Sequence, residues 1–310
     1  ETVEELLLVR DVTPLLLFGP DANRNGVVDP EESASAGMRD ANGDDITQGW
    51  ADYLTLYSSE SNLDPDGNPR IDINSDDAQT LYTSLEKALG AEIATFIIAY
   101  RQNGAYTGTK TGTRGATVQL DLTQAPKNKV QTVLELIGQR TQVTPTGAKD
   151  PTIIETPFPS DPLAMNLYLP NLLDWVTVNT QPTIPARINI NEAPRVVLLG
   201  IPGMTPQIVD EIIAKRDSDQ TDEKPERRHE TWLMSEGLIT LDQMKAMIPY
   251  VTSGGRIYRA QVVGFYEGGG PVSRSEVIVD ASGATARVLL WRDLTQLGRG
   301  YSWDTLGAIP

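Results

Sequence analysis

IDINSDDAQTLYTSLEKALGAEIATFIIAYR (71–101) and ININEAPRVVLLGIPGMTPQIVDEIIAKR (188–216) follow one pattern. Each runs Ile-x-Ile-Asn, a polar cap, an apolar helix, a turn of small residues, and a second helix. The second helix closes on Tyr100-Arg101 in one copy and on Lys215-Arg216 in the other. Such self-similarity is the mark of a repeated supersecondary unit, here helix, tight turn, helix. Asn74 and Asn191 stand where a side-chain oxygen caps the first helix. VEELLLVRDVTPLLL (3–17) echoes the middle of the unit, with Val12-Thr13-Pro14 lying as Met204-Thr205-Pro206 lies later.

After Ser253 the apolar period changes to two. RIYRAQVVGFYE (256–267), SRSEVIVDA (273–281) and ATARVLLWRD (284–293) are strands, separated by EGGGPV and ASG, and predict a three-stranded antiparallel meander. The alternation through Tyr258, Ala260, Val262 and Phe265 is interrupted at Gly264, which predicts a bulge there. Strands with one apolar face need a covering layer, expected to be a helix supplied from upstream. The tail LTQLGRGYSWDTLGAIP (294–310) is expected to lie over the sheet.

GAYTGTKTGTRGAT (104–117) and TQVTPTGAKDPTIIETPFPSDP (141–162) read as exposed loops. VQTVLELIGQR (130–140) and PNLLDWV (170–176) read as short helices. The expected class is therefore α+β, with helical repeats, long loops and a C-terminal sheet. The expected divisions are 1–176, 177–253 and 254–310.

One chemical signal is specific. DANRNGVVDPEE (21–32) places Asp21, Asn23 and Asn25 at loop positions one, three and five, Gly26 at six, Val27 at seven, Asp29 at nine and Glu32 at twelve. That is the EF-hand-like calcium loop D-x-[DN]-x-[DN]-G-x5-E without a gap. Calcium is a hard cation that takes six to eight oxygens, so alternate side chains of a tight turn must point inward. Gly26 permits the sharp turn, Val27 would offer its carbonyl, and Glu32 would close the sphere with both oxygens. Gly19 and Pro20 stop the entering helix and Pro30 breaks the usual exit, so the expected role is structural rather than switching. DPDGNPRID repeats part of the spacing at Asp64, Asp66, Asn68 and Asp72, and Asp40, Asn42 and Asp44 give three alternating oxygens. Both read as capped turns.

At 310 residues with 39% hydrophobic content, the chain can build about two cores. No apolar run approaches a membrane span. It has no cysteine, hence no disulfide or thiol chemistry. A net charge of −16 repels phosphate backbones and disfavours nucleic acid. The single histidine, His229 in ERRHETW, reads as a surface residue, and with no phosphate loop or nucleophile elbow the chain reads as no enzyme.

EELLLVRDVTPLLLFG (4–19), RININEAPRVVLLGIPG (187–203) with IVDEIIAKR (208–216), LITLDQMKAMIPYVTSGGRIYRAQVVGFYEGGG (238–270) and RSEVIVD (274–280) together resemble the minor pseudopilin K family of type II secretion systems, also called general secretion pathway protein K. The pieces occur in the family's order over nearly the whole chain. The resemblance implies a pilin-like sheet carrying helix-hairpin-helix (SAM-like) regions, and two bound calcium ions. It further implies a noncatalytic, periplasmic role in protein secretion, at the tip of a pseudopilus beside minor pseudopilins I and J, with secreted substrates as further partners. The family's N-terminal membrane helix and cleavage segment have no counterpart here, so the expectation is a C-terminal portion of a protein anchored in the inner membrane. The family's calcium ligands do not align with 21–32, and that donor set rests on the local motif. INxNxA also occurs in competence-type DNA receptors, so a helix-hairpin-helix DNA-binding protein is the alternative. Its hairpin here reads Gly203-Met204-Thr205, with Thr205 in place of the second glycine that such hairpins use.

Overall fold

A computed structural model of the chain describes residues 2–29, 32, 48–185, 187–217, 225–266, 270–283 and 285–307. It is an α+β protein whose chain contacts form two compact units, Glu60–Gly255 and Glu1–Ser59 with Arg256–Pro310. The stretch read as 177–253 falls in the first, and the meander falls with the N-terminal segment.

Within 60–255 the two stretches show a similar local order of elements. Ile71–Asp72 pairs parallel with Val176–Thr177, and Ile188–Asn189 pairs parallel with Val251–Thr252. Each short strand leads into two helices, Ala78–Leu89 and Ala91–Asn103 in one copy, Arg195–Leu199 and Pro206–Asp217 in the other. Arg101 reaches back to the Asn74 carbonyl at 2.8 Å, and Arg216 reaches back to the Ala193 carbonyl at 2.7 Å. Even the exits match. Thr177 Oγ1 accepts from Asn179 N, and Thr252 Oγ1 from Gly254 N.

The capping expectation fails at both asparagines. Asp77 caps the first helix, accepting from Thr80 N at 3.0 Å, and the Arg195–Leu199 helix has no side-chain cap. Asn74 instead donates to the Val130 carbonyl at 2.9 Å and accepts from Val130 N at 3.0 Å. Asn191 donates to the Ser253 carbonyl at 2.9 Å and accepts from the Trp232 indole at 3.0 Å. A carboxamide can do both at once, and for the first helix Asp77 supplies a nearer oxygen for the cap.

One apolar core runs through this unit, from Ile73 to Val251, with Phe96, Leu134, Phe158 and Trp232 completely or almost completely enclosed. The Ala91–Asn103 helix is buried on nearly every side from Ala94 to Gln102, which is why its sequence shows little amphipathic stripe. Three readings need correction. The Thr/Pro-rich segment expected as loop contains an antiparallel pair, Arg140–Val143 with Thr152–Glu155, because Val143 and Ile154 bury on the core side. PNLLDWV is the end of a longer helix, Pro162–Trp175, which carries Pro170 inside it. VQTVLELIGQR holds only one 3-10 turn, Val133–Leu136.

In the other unit the meander is as expected, Ile257–Gly264, Ser273–Asp280 and Arg287–Asp293, antiparallel with Ser273–Asp280 central. The bulge is not at Gly264, which pairs in register with Ser273. It lies where Ile278 faces Leu290 but Val279 faces Val288, leaving Leu289 unopposed. Gly264 is simply the strand's last residue. The N-terminal segment forms a 3-10 turn, Val3–Leu8, and a short helix, Pro14–Phe18, capped by Thr13 accepting from Leu16 N. Gly19 and Gly49 cross so closely that a Cβ on Gly49 would lie 2.3 Å from Gly19 N. No helix of the described residues is long and apolar enough to cross a membrane.

Candidate functional site

Residues 21–29 and 32 form a tight turn docked on one face of the meander. Gly26 adopts φ +82°, as the motif's sixth position requires, and Arg24 also has positive φ. Asp21 is buried and accepts from Asn25 N at 3.1 Å and from Gly26 N at 2.8 Å, one bond to each carboxylate oxygen. Each oxygen keeps a lone pair. Burial pushes the Asp21 carboxyl up, the two N–H bonds oppose that, and the charge of Glu32 adds to the rise, leaving a net upward shift.

The other donors are only partly arranged for a cation. Asn23 donates to Asp29 Oδ2 at 3.0 Å, and its own Oδ1 is buried with no donor. Asn25 Oδ1 accepts from Val27 N at 2.7 Å, while its amide donates to the Gly300 carbonyl. Glu32 caps backbone, taking Asn23 N at 3.1 Å and Asp29 N at 3.0 Å. Among the described residues no three His, Cys, Asp or Glu side chains converge as a metal centre would. The loop therefore brings together the oxygens of Asp21, Asn23, Asn25, Asp29 and Glu32 along one turn, with Glu32 turned to N–H groups rather than to a common point. The residues fit calcium if Glu32 releases those N–H groups. The unpaired Asn23 oxygen is the observation that favours such a fit.

What holds the loop is a set of contacts that the sequence did not advertise. Arg274 is fully buried on the central strand and donates to the Asn23 carbonyl. Gln261 donates to the Arg24 carbonyl at 2.7 Å, and Tyr301 donates to the Asn25 carbonyl at 3.1 Å. Arg24 stacks 3.8 Å over the Phe18 ring and pairs with Glu4 at 3.5 Å. Glu276, also buried, takes Arg259 at 2.5 Å and Arg292, which also reaches Glu4. The alternation in SRSEVIVD put Arg274, Glu276, Ile278 and Asp280 on one face, but only the fold shows that this polar face is the covered one. A cavity of about 520 Å³ remains between loop, strand and the 51–57 segment.

The opposite face is apolar and open. Directly opposed pairs share a face, so Tyr258 with Val279, Ala260 with Val277, and Val277 with Trp291 define one surface. Tyr258, Val262, Val288 and Trp291 are each more than half exposed on it.

Elsewhere the weaker candidates behave as turns. Asp64 Oδ1 accepts from Asp66 N and Asn68 N, closing a hairpin at Gly67. Asp40, Asn42 and Asp44, and Pro30, lie outside the described residues. His229 is not a surface residue. It is 8% exposed, with Nε2 2.7 Å from Asp174 Oδ1. Burial would raise Asp174, but hydrogen bonds and charge from His229 and Arg228 outweigh it and bring the carboxyl to about 2. In the Gly203-Met204-Thr205 turn, Gly203 has φ +86° and Thr205 Oγ1 accepts from Ile208 N at 3.3 Å. The nearby Arg195 is held by Asp210 at 2.8 Å.

No protein-family model, curated protein or solved structure matches the chain.

Proposed function

We propose that this chain is a noncatalytic assembly subunit of a type II secretion pseudopilus, of the minor pseudopilin K kind, acting in the periplasm with the inner-membrane anchor that this resemblance implies. The supporting observation is the meander with its polar face covered by the chain's own N-terminal loop and its apolar face open. In a pilin-like assembly that open face takes a helix, and burial of apolar area is the dominant favourable term in such packing. The tandem strand–helix–helix units read as the family's helix-hairpin-helix (SAM-like) regions. Calcium held by Asp21, Asn23, Asn25, the Val27 carbonyl, Asp29 and Glu32 would supply local rigidity and no chemistry.

Supporting a structural role over DNA binding, Thr205 is spent as a cap and Arg195 is neutralised by Asp210. The test is co-purification of the chain with the I and J minor pseudopilins of the same genome, with a duplex-DNA gel shift alongside. A stable complex without DNA retention is expected. Retention of DNA that weakens with salt, with no complex formed, sinks the reading.

A further inference from the structure

A second recess, of about 630 Å³, lies wholly within the 60–255 unit, between the 72–76, 126–129 and 178–180 segments. Its wall includes Arg101, Lys127 and Lys129 against Asp72 and Asp76. In a chain of net charge −16, a local excess of cation is unusual.

Arg101 is the informative residue. It is 4% exposed, yet its Nη groups are answered mainly by neutral carbonyls, those of Asn74, Ser75 and Asn128. Its Nε is buried with no acceptor. The one carboxylate paired with it among the described residues is Asp76, at 3.8 Å and itself 96% exposed. A buried guanidinium answered this way keeps much of its desolvation cost. Burial accordingly lowers its pKa, against the opposing charges of Asp76 and Asp72. The similar 188–216 stretch does not demand such burial, because Arg216 at the end of its second helix reaches back to the Ile190 and Ala193 carbonyls while partly exposed. Lys127 and Lys129 form no ion pair among the described residues, and both are exposed beside the recess.

We propose that this recess is a binding site for a small oxyanion of the phosphate or carboxylate class. The buried charge of Arg101 sets the floor potential, Lys127 and Lys129 close on the ligand from the rim, and Asn128, Asn179 and Thr180 offer neutral polar groups. Charge-assisted bonds of this kind are about twice as strong as neutral ones. The acidic remainder of the surface discourages stray anion binding, so a saturable signal would report this recess. The site is independent of the secretion reading above.

Calorimetric titration of the intact chain with inorganic phosphate and, separately, succinate at low ionic strength tests it. Saturable binding at about 10 mM ligand or below is expected, weakened about tenfold in the Lys127→Ala/Lys129→Ala double variant and unchanged in Lys149→Ala. Binding of phosphate alone narrows the ligand to phosphoryl groups, and of succinate alone to carboxylates. Because both substituted lysines are exposed, loss of fold does not confound the result, and an unchanged thermal midpoint of the double variant checks this. Absence of saturable binding by either anion, or binding that the double variant leaves intact, overturns the proposal.

Discussion

Asn74 and Asn191 do similar work: each ties the loop after a short parallel strand to a distant stretch of the 60–255 unit. Asn74 satisfies both backbone groups of Val130, and Asn191 links Ser253 to Trp232. Removing either leaves buried backbone or indole groups unpaired, and each such orphan costs about 1–3 kcal/mol.

Asn74→Ala is therefore expected to lower unfolding free energy by about 2 kcal/mol, and Asn74→Asp by less, since the carboxylate still accepts from Val130 N but cannot donate. Urea denaturation of the parent and both variants measures this. Equal losses for Ala and Asp would show that the donor carries the contact. No loss in either would remove the clamp altogether.

Asp174 predicts an acid-side dependence. Its carboxyl titrates near 3.8 when unfolded and at about 2 when folded, so its folded value is depressed. The stability it contributes, about 2 kcal/mol, is complete well above 3.8 and is lost as pH falls from about 4 toward 2. Unfolding free energies of the parent and Asp174→Asn across that range should converge at the acid end. Parallel curves would mean that His229 and Arg228 do not hold the carboxylate.

The calcium loop makes a sharper demand. If calcium binds, it selects the native state and raises stability by RT ln(1 + [L]/Kd), about 2.7 kcal/mol at a hundredfold excess. The thermal midpoint should rise with calcium, fall with chelator, and respond to neither in Glu32→Ala. The effect should fade as pH drops through the raised pKa of Asp21, because protonation removes a ligand charge. A parent midpoint indifferent to chelator leaves DANRNGVVDPEE as an acidic turn whose Glu32 caps Asn23 N and Asp29 N.

The sequence carried the local period and the internal echo, and so it disclosed the meander, the helix pairs after Ile71–Asp72 and Ile188–Asn189, and the Gly26 turn. It could not disclose which face of SRSEVIVD is covered, because a polar face is ordinarily the wet one. Burying Arg274 and Glu276 becomes tolerable only through partners remote in sequence, such as Asn23 and Arg292. The roles of Asn74 and Asn191 are hidden for a similar reason, since helix capping is local and their actual partners are not. His229 had no legible signal, because its partner Asp174 lies 55 residues away on the Pro162–Trp175 helix.

The open face of the meander yields the last prediction. Trp291 and Val262 are 63% and 59% exposed, so neither contributes much to the stability of the chain alone. Exposed apolar patches of this kind mark sites of association. Trp291→Ser with Val262→Thr should thus change unfolding free energy by no more than about 0.5 kcal/mol for each site, the usual range for surface positions. The same double variant should lose binding of an apolar dye and any concentration-dependent self-association shown by the parent. It should also fail to co-purify with the I and J pseudopilins if they supply, or help to position, the covering helix. A drop of more than about 2 kcal/mol would indicate that the chain already covers this face itself. Unimpaired complex formation would place the assembly surface elsewhere and detach the pilin-like reading from this sheet.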